Sequence, residues 1–263
     1  FNSMTDNTTG SNNTAYGAYS LYENTTGDKN QSFGYQSLNN NTTGSDNTAI
    51  GYQSLYSNTT GTKNLAIGYS AYDNADTEND NLAIGYWALG GAIDGGEYNV
   101  AIGNYSLGAN TTGDYNVAVG YNSLTGNTTG NYVTAIGGKA LQANTTGTGN
   151  TAVGTNALES NTTGASNTAM GWNSLVGNTT GSNNLALGVN TMFYNTTGYK
   201  NVALGNYGLW ANTEGMENVA ISGNGSLYKN TTGSQNIAIG AASLYNNETG
   251  NYNIAIGRSS LYS

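Results

Sequence analysis

The chain has 263 residues, 39 of them glycine, no proline, cysteine or histidine, and a formal net charge of −9. That composition excludes disulfide staples, thiolate and imidazole metal sites, and the Ser-His-Asp and Cys-His constellations of nucleophilic catalysis. Its basic residues, Lys29, Lys63, Lys139, Lys200, Lys229 and Arg258, are scattered along the chain, so there is no cationic patch for a nucleic-acid backbone.

Charged residues make up 8% of the chain, where an ordinary globular domain carries roughly a quarter. Aromatics make up 10%, mostly tyrosine. Disordered chains are poor in aromatics and rich in charge, so the composition predicts a folded, polar protein. No run approaches the ~18 apolar residues of a membrane helix, and no membrane insertion is expected of this segment.

Internal repetition decides the architecture. In chain order a large apolar residue of an Asn-x-Ala-Ile-Gly-like segment falls at Tyr16, Phe33, Ile50, Ile67, Ile84, Ile102, Val119, Ile136, Val153, Met170, Leu187, Leu204, Ile221, Ile239 and Ile256. Twelve of the fourteen steps between these fifteen anchors are 17 residues and two are 18. The consensus is Asn-Thr-Thr-Gly-x-x-Asn-[Thr/Val/Leu/Ile]-Ala-[Ile/Val/Leu]-Gly-x-x-[Ser/Ala]-Leu-x-x. Seventeen residues are too few for a helix pair or a propeller blade and suit one coil of a β-solenoid or β-roll.

Within a coil such as residues 47–61, Thr48 and Ile50 point one way and Ala49 the other, because side chains alternate along a strand. Gly51 ends that strand. A second short strand is expected around Ser54 and Leu55, and Asn58-Thr59-Thr60-Gly61 reads as a turn. Equivalent positions of successive coils then stack about 4.8 Å apart, giving a shaft of roughly 70 Å. The Asn rank three before the anchor holds in fourteen of fifteen repeats, with Val133 the exception. Stacked asparagines can satisfy one another's amides along an array. The Ala rank (Ser32 apart) suggests close approach of another backbone, and the apolar ranks, including Leu21, Leu38, Leu55, Tyr72 and Met192, are expected to form the core. The Thr-Thr-Gly glycine, replaced only at Glu78, is expected to take a positive φ.

Two stretches depart from the register. Residues 74–81 read Asn-Ala-Asp-Thr-Glu-Asn-Asp-Asn, and residues 90–97 carry one extra residue. A further insertion at Ser222-Gly223 calls for a bulge. The whole chain, 1–263, therefore reads as a single repeat array. Neither end carries the polar capping sequence that solenoids use, so the expectation is a segment of a longer fibre or a subunit that stacks end to end.

The stretch Asn-Thr-Ala-Ile-Gly-Tyr-Gln-Ser-Leu, Asn47 to Leu55, resembles the head repeats of trimeric autotransporter adhesins. The Asn-Thr-Thr-Gly arrays are similar to repeat regions of phage-type tail fibres and related bacterial surface proteins. The resemblance runs through all fifteen repeats. It implies a parallel homotrimer of left-handed β-rolls, with either the Ala rank or the Ile rank at the threefold axis. The 17-residue coil, with its Thr-Thr-Gly extension, is longer than that of the adhesin heads, and any stalk, neck or anchor would lie outside this segment.

Candidate chemistry is sparse. Asp73, Asp76, Glu78 and Asp80 form the only acidic cluster. It reads as a solvated loop, with Asp76, Glu78 and Asp80 as weak ligand candidates for calcium, which takes oxygen donors. Trp87, Trp172 and Trp210 occupy three different ranks and so form no continuous sugar-stacking platform. Tyr35, Tyr52, Tyr69 and Tyr86 share a rank, either as an adhesive aromatic stripe or as a stiffening ladder. Asn-x-Thr sequons fall at Asn7, Asn24, Asn41, Asn58, Asn110, Asn127, Asn144, Asn161, Asn178, Asn195, Asn230 and Asn247. Each is an N-glycosylation candidate or a turn asparagine whose side chain bonds the local backbone. The expectation is a non-enzymatic structural and adhesive fibre segment, extracellular, on a cell surface or virion, without cofactor. Its partners would be copies of itself and a host-surface glycan or protein. The alternative is a self-polymerising extracellular filament.

Overall fold

The computed structural model describes residues 2–262; Phe1 and Ser263, the outermost residues of the array, lie outside them. The chain divides into two units, Phe1–Tyr132 and Val133–Ser263. Each is a parallel β-solenoid with one strand per repeat and, among the described residues, no helix.

In the first unit the strands are β1 (Thr14–Tyr16), β2 (Gln31–Phe33), β3 (Thr48–Ile50), β4 (Leu65–Ile67), β5 (Leu82–Ile84), β6 (Val100–Ile102) and β7 (Val117–Val119). Each pairs in parallel with the next, anchor on anchor: Phe33 faces Ile50, and Ile50 faces Ile67. In the second unit they are β8 (Thr134–Ile136), β9 (Thr151–Val153), β10 (Thr168–Met170), β11 (Leu185–Leu187), β12 (Val202–Asn206), β13 (Val219–Asn224), β14 (Ile237–Ile239) and β15 (Ile254–Ile256). They pair in the same manner. The insertion at Ser222-Gly223 is absorbed as expected: the β12–β13 register shifts beyond Leu204, so that Asn206 pairs with Asn224.

The second strand expected around Ser54 and Leu55 does not form. Residues 51–57 turn continuously instead. Gln53 and Leu55 take left-handed conformations (φ 51° and 52°), Gly51 opens the turn at φ 135°, and the same ranks repeat the pattern along the chain. The turn backbone is still bonded between coils, in both directions. The Gln36 N–H donates to the Ala18 carbonyl (3.0 Å), whereas the Leu38 N–H donates to the Ser54 carbonyl (2.9 Å). Stacking thus satisfies backbone groups that a ladder would otherwise serve, which offsets the cost of non-glycine residues in the left-handed region.

The core differs from expectation in one respect. The Ala and Leu ranks are fully buried, from Leu21 and Ala49 to Leu227 and Ala238. The Ile rank lies on the outer face: Ile50, Ile102 and Ile136 are 40%, 37% and 40% exposed. Each coil is too narrow to hold side chains from both strand faces, so its interior takes the small one. The Ala rank packs against the Ser/Ala/Gly rank of the same coil. Ser32, its one departure, donates to the Ser37 carbonyl at 2.7 Å.

The Thr-Thr-Gly glycine also has another role than the one expected. It does not take a positive φ. A Cβ on Gly44 would lie 2.4 Å from the Gly61 carbonyl oxygen of the next coil and 2.4 Å from Asn41 Oδ1. Glycine is required there by the stacking distance. Gly44→Ala should therefore destabilise the first unit by about 1–3 kcal/mol, the usual cost of overpacking. Gly138→Ala, where a Cβ meets nothing within 4 Å, should stay within about 0.5 kcal/mol of wild type. Urea denaturation midpoints of the two variants distinguish these outcomes.

Candidate functional site

Two asparagine ladders run inside each unit, and they work differently. In the rank three before the anchor, Oδ1 accepts the backbone N–H of the equivalent asparagine in the next coil: Asn47 N–H to Asn30 Oδ1 is 3.0 Å, and Asn64 N–H to Asn47 Oδ1 is 2.9 Å. The Nδ2 group of that rank donates to a Thr-Thr-Gly carbonyl, as Asn47 does to Gly61 at 2.7 Å. In that rank amide-to-amide bonds also join Asn201, Asn218, Asn236 and Asn253, at 3.1–3.2 Å, and the sequon asparagines form a second amide-to-amide chain. Asn41 Nδ2 donates to Asn24 Oδ1 (2.7 Å) and Asn58 Nδ2 to Asn41 Oδ1 (2.8 Å), while each also closes its own turn onto the following glycine carbonyl.

This placement bears on the glycosylation candidates. Asn24, Asn41, Asn58, Asn110, Asn127, Asn144, Asn161, Asn178, Asn195 and Asn230 are fully buried. A glycan on any of them would have to pull its amide out of the ladder, so the folded coil presents none of the ten as an acceptor. Asn7 and Asn247 are half-buried, and their amides bond Gly10 O (2.9 Å) and Asn230 Oδ1 (2.8 Å).

The acidic segment is a plug in this ladder and, for one of its members, not a solvated loop. Ala75 and Ile93 occupy the sequon-asparagine rank, and both are buried. Asn58 Oδ1, which would accept from a following asparagine, is left buried without a partner. Tyr72 replaces leucine in the core, fully buried, and its phenol oxygen accepts from Asn81 Nδ2 at 2.7 Å. Glu78 stands where other coils have glycine. Only 3% exposed, its carboxylate accepts from the N–H groups of Asp76 (3.0 Å), Thr77 (3.2 Å) and Gly95 (3.0 Å). Asp76 is exposed and accepts from the Thr59 hydroxyl. Asp80 holds a left-handed turn position (φ 57°). Among the described residues, no three carboxylates converge where a cation could sit. Burial holds the Asp73 carboxyl above its usual range.

The tyrosines of the shared rank are a ladder of stacked rings. Tyr35–Tyr52, Tyr52–Tyr69 and Tyr69–Tyr86 stack at 5.3, 4.9 and 5.3 Å, within 15° of parallel. A second ladder, Tyr98–Tyr115–Tyr132, stacks at 4.9 and 5.4 Å. In the second unit Trp210, Tyr228, Tyr245 and Tyr262 stack at 4.9, 5.0 and 5.2 Å. Ring faces inside such a stack are covered by their neighbours. The ladders therefore show solvent their edges and hydroxyls rather than a platform for sugar faces. Burial, then the Tyr98 and Tyr132 phenols, pushes the Tyr115 hydroxyl up from its usual pKa. Trp87 and Trp172 are exposed.

Two surfaces break this pattern of self-covered groups. One is the outer strand face, a stripe two side chains wide. In the first unit it pairs the Thr48, Leu65, Leu82, Val100 and Val117 rank with the anchor rank, and all of these are exposed or half-exposed. The other is a cleft at the β13 bulge. The first was readable from the alternation in Thr-Ala-Ile, but assigning it inside or outside needed the width of the coil. The second had one sequence signal, the Ser222-Gly223 insertion. No known family model matches the chain, and no curated protein matches it.

Two outcomes follow from these contacts. Burial, then the Glu78 charge, raises the Tyr72 pKa well above 10, against a smaller lowering by the Asn81 hydrogen bond. A tyrosine whose folded pKa is raised gives stability that is complete below its unfolded pKa of about 10 and is lost as pH rises above it. Wild type should therefore lose stability from about pH 10 upward, and Tyr72→Phe should flatten that slope in a denaturation series across alkaline pH. Tyr52→Ala removes two stacked ring pairs at about 0.5–1.5 kcal/mol each, so it should lower stability by roughly 1–3 kcal/mol without altering the far-ultraviolet circular dichroism.

Proposed function

We propose that this chain is a non-enzymatic structural and adhesive segment of an extracellular fibre, and that it assembles as a parallel homotrimer of left-handed coils. The observation that carries this reading is the outer strand face. A continuous exposed apolar stripe is unusual on a monomer and marks an interaction surface. Within each unit every repeat renews it at the anchor rank, beside a rank mostly of Thr, Leu, Val and Ile. Its most regular complement is an equally periodic surface, and a second and third copy of the same chain supply one. Closed cyclic symmetry would bury the stripe along its length, and of the two ranks implied by the adhesin resemblance only the Ile rank is free to do so.

The absence of histidine and cysteine from the sequence supports the non-enzymatic part of the proposal. The test is the native mass by light scattering. Three times the 27.1 kDa chain mass is expected, with Ile50→Glu/Ile102→Glu falling to the monomer mass while keeping the same circular dichroism. A wild-type monomer would remove the trimer. An open-ended mass distribution would favour the filament reading.

A further inference from the structure

The extra residue in the second unit does more than lengthen β13. In the rank three after the anchor, the coils carry side chains such as Gln36, Gln53, Tyr105 and Tyr207, all left-handed. In the two coils that follow Tyr207, that rank falls to Gly225 (φ 63°) and Ala242 (φ 55°). The rungs above the Tyr207 ring thus carry at most a methyl group, and Tyr207 is 37% exposed. The stack of Tyr228 and Tyr245 leans over the gap edge-on: a Cβ built on Gly225 would lie 3.5 Å from Tyr245 Cε2 and 3.7 Å from Tyr228 Cδ2. Tyr207 is tilted 52° from Tyr228 at 6.5 Å, whereas Tyr228 and Tyr245 are within 2° of parallel.

The result is a cleft of about 270 Å³ lined by Tyr207, Asn224, Gly225, Tyr228, Ala242 and Tyr245. The same bulge disturbs the turn beneath it. In regular coils the serine hydroxyl donates to the glycine after the anchor, as Ser243 does to Gly240 at 2.8 Å. Ser226 Oγ, buried next to Gly225, has no partner in the protein.

We propose that this cleft binds one ring of a neutral sugar, stacked on Tyr207 and held through its hydroxyls by the Asn224 carboxamide. Three features choose that ligand. The volume lies just below the ~300–1,000 Å³ of sites for drug-sized molecules, so it admits a single ring. The lining is aromatic and uncharged, with one exposed amide that both donates and accepts, which suits hydroxyls rather than an anion. The third is the orientation of the rings. An aromatic cage for a quaternary ammonium group presents ring faces, which are electronegative, but Tyr228 and Tyr245 present their electropositive edges. The cleft is lined by the end of β13 and by the turn residues of its own and the two neighbouring coils. It rests on the adhesive reading only in supplying that reading with a ligand class, and mass and ligand binding are measured separately.

The test uses the methyl glycosides of glucose, galactose and N-acetylglucosamine, with tetramethylammonium as the competing class, followed by saturation-transfer NMR and by shifts of labelled tyrosine rings. Wild type should transfer saturation to at least one glycoside and show shifts at Tyr207, Tyr228 and Tyr245. Gly225→Gln fills the cleft with a residue that the same rank accommodates at Gln36 and Gln53 (φ 52° and 51°), so the fold should survive. Tyr207→Ala creates the residue already found at this rank in Ala242. Each variant should weaken binding about ten-fold or more with unchanged circular dichroism and native mass. The proposal fails if no glycoside binds, if glycosides bind Gly225→Gln as well as wild type, or if tetramethylammonium alone shifts the three tyrosines.

Discussion

Everything in these solenoids depends on coils lying one strand spacing apart in exact register, because each coil supplies the hydrogen-bond partners of its neighbours. The strand backbone, the turn backbone and two ranks of asparagine all bond across that gap. An asparagine rung is useful only when another amide or N–H stands directly beside it. One net hydrogen bond contributes about 1 kcal/mol and a buried orphan costs about 1–3, so the repeat penalises single departures more than it rewards single matches. The glycine ranks follow from the same constraint. At Gly44 and its equivalents the space that a Cβ would need holds the next coil's carbonyl oxygen.

That constraint explains why one coil departs at several positions together. Where Ala75 interrupts the amide chain, Tyr72 enlarges the core rung and bonds Asn81, and Glu78 gathers three backbone N–H groups whose ranks in regular coils donate to the next coil's threonine carbonyl. Ile93 fills the corresponding position in the next coil. The substitutions act as a set, exchanging a polar rung for an apolar one and a buried carboxylate. The chain has no cysteine to staple such a place, so the repair is made with hydrogen bonds and volume.

The exterior follows a different logic. With alanine, leucine and asparagine committed to the interior of most coils, variation is concentrated in the outward ranks. These carry stacked tyrosines along the turns and the Thr/Ile stripe along the strands. The ladders turn their faces upon themselves, and so they stiffen the coil and leave little for a ligand. The stripe and the β13 cleft are where groups remain uncovered. One is uncovered because it repeats in every coil, the other because a single inserted residue breaks the repeat. Periodicity suits a partner that is itself periodic, and a break in it suits a ligand of one ring.

The sequence by itself determined the repeat, its 17-residue period, the parallel stacking of like residues, the strand at each Asn-x-Ala-Ile-Gly segment and the bulge at Ser222-Gly223. All of these are written in the spacing of residue types, and stacking like on like makes spacing and structure the same information. The tertiary structure decided which way the strand faces. Alternation says that Ala49 and Ile50 lie on opposite sides, but only the width of the closed coil decides that the alanine goes in and the isoleucine out. It also decided that Gly44 is there for clearance rather than for φ, that Leu55 sits in a turn rather than a second strand, and that ten of the twelve sequon asparagines are buried. The last three depend on groups in the neighbouring coil, such as Gly61 beside Gly44 and Ala71 beside Leu55, and local propensity carries no record of them.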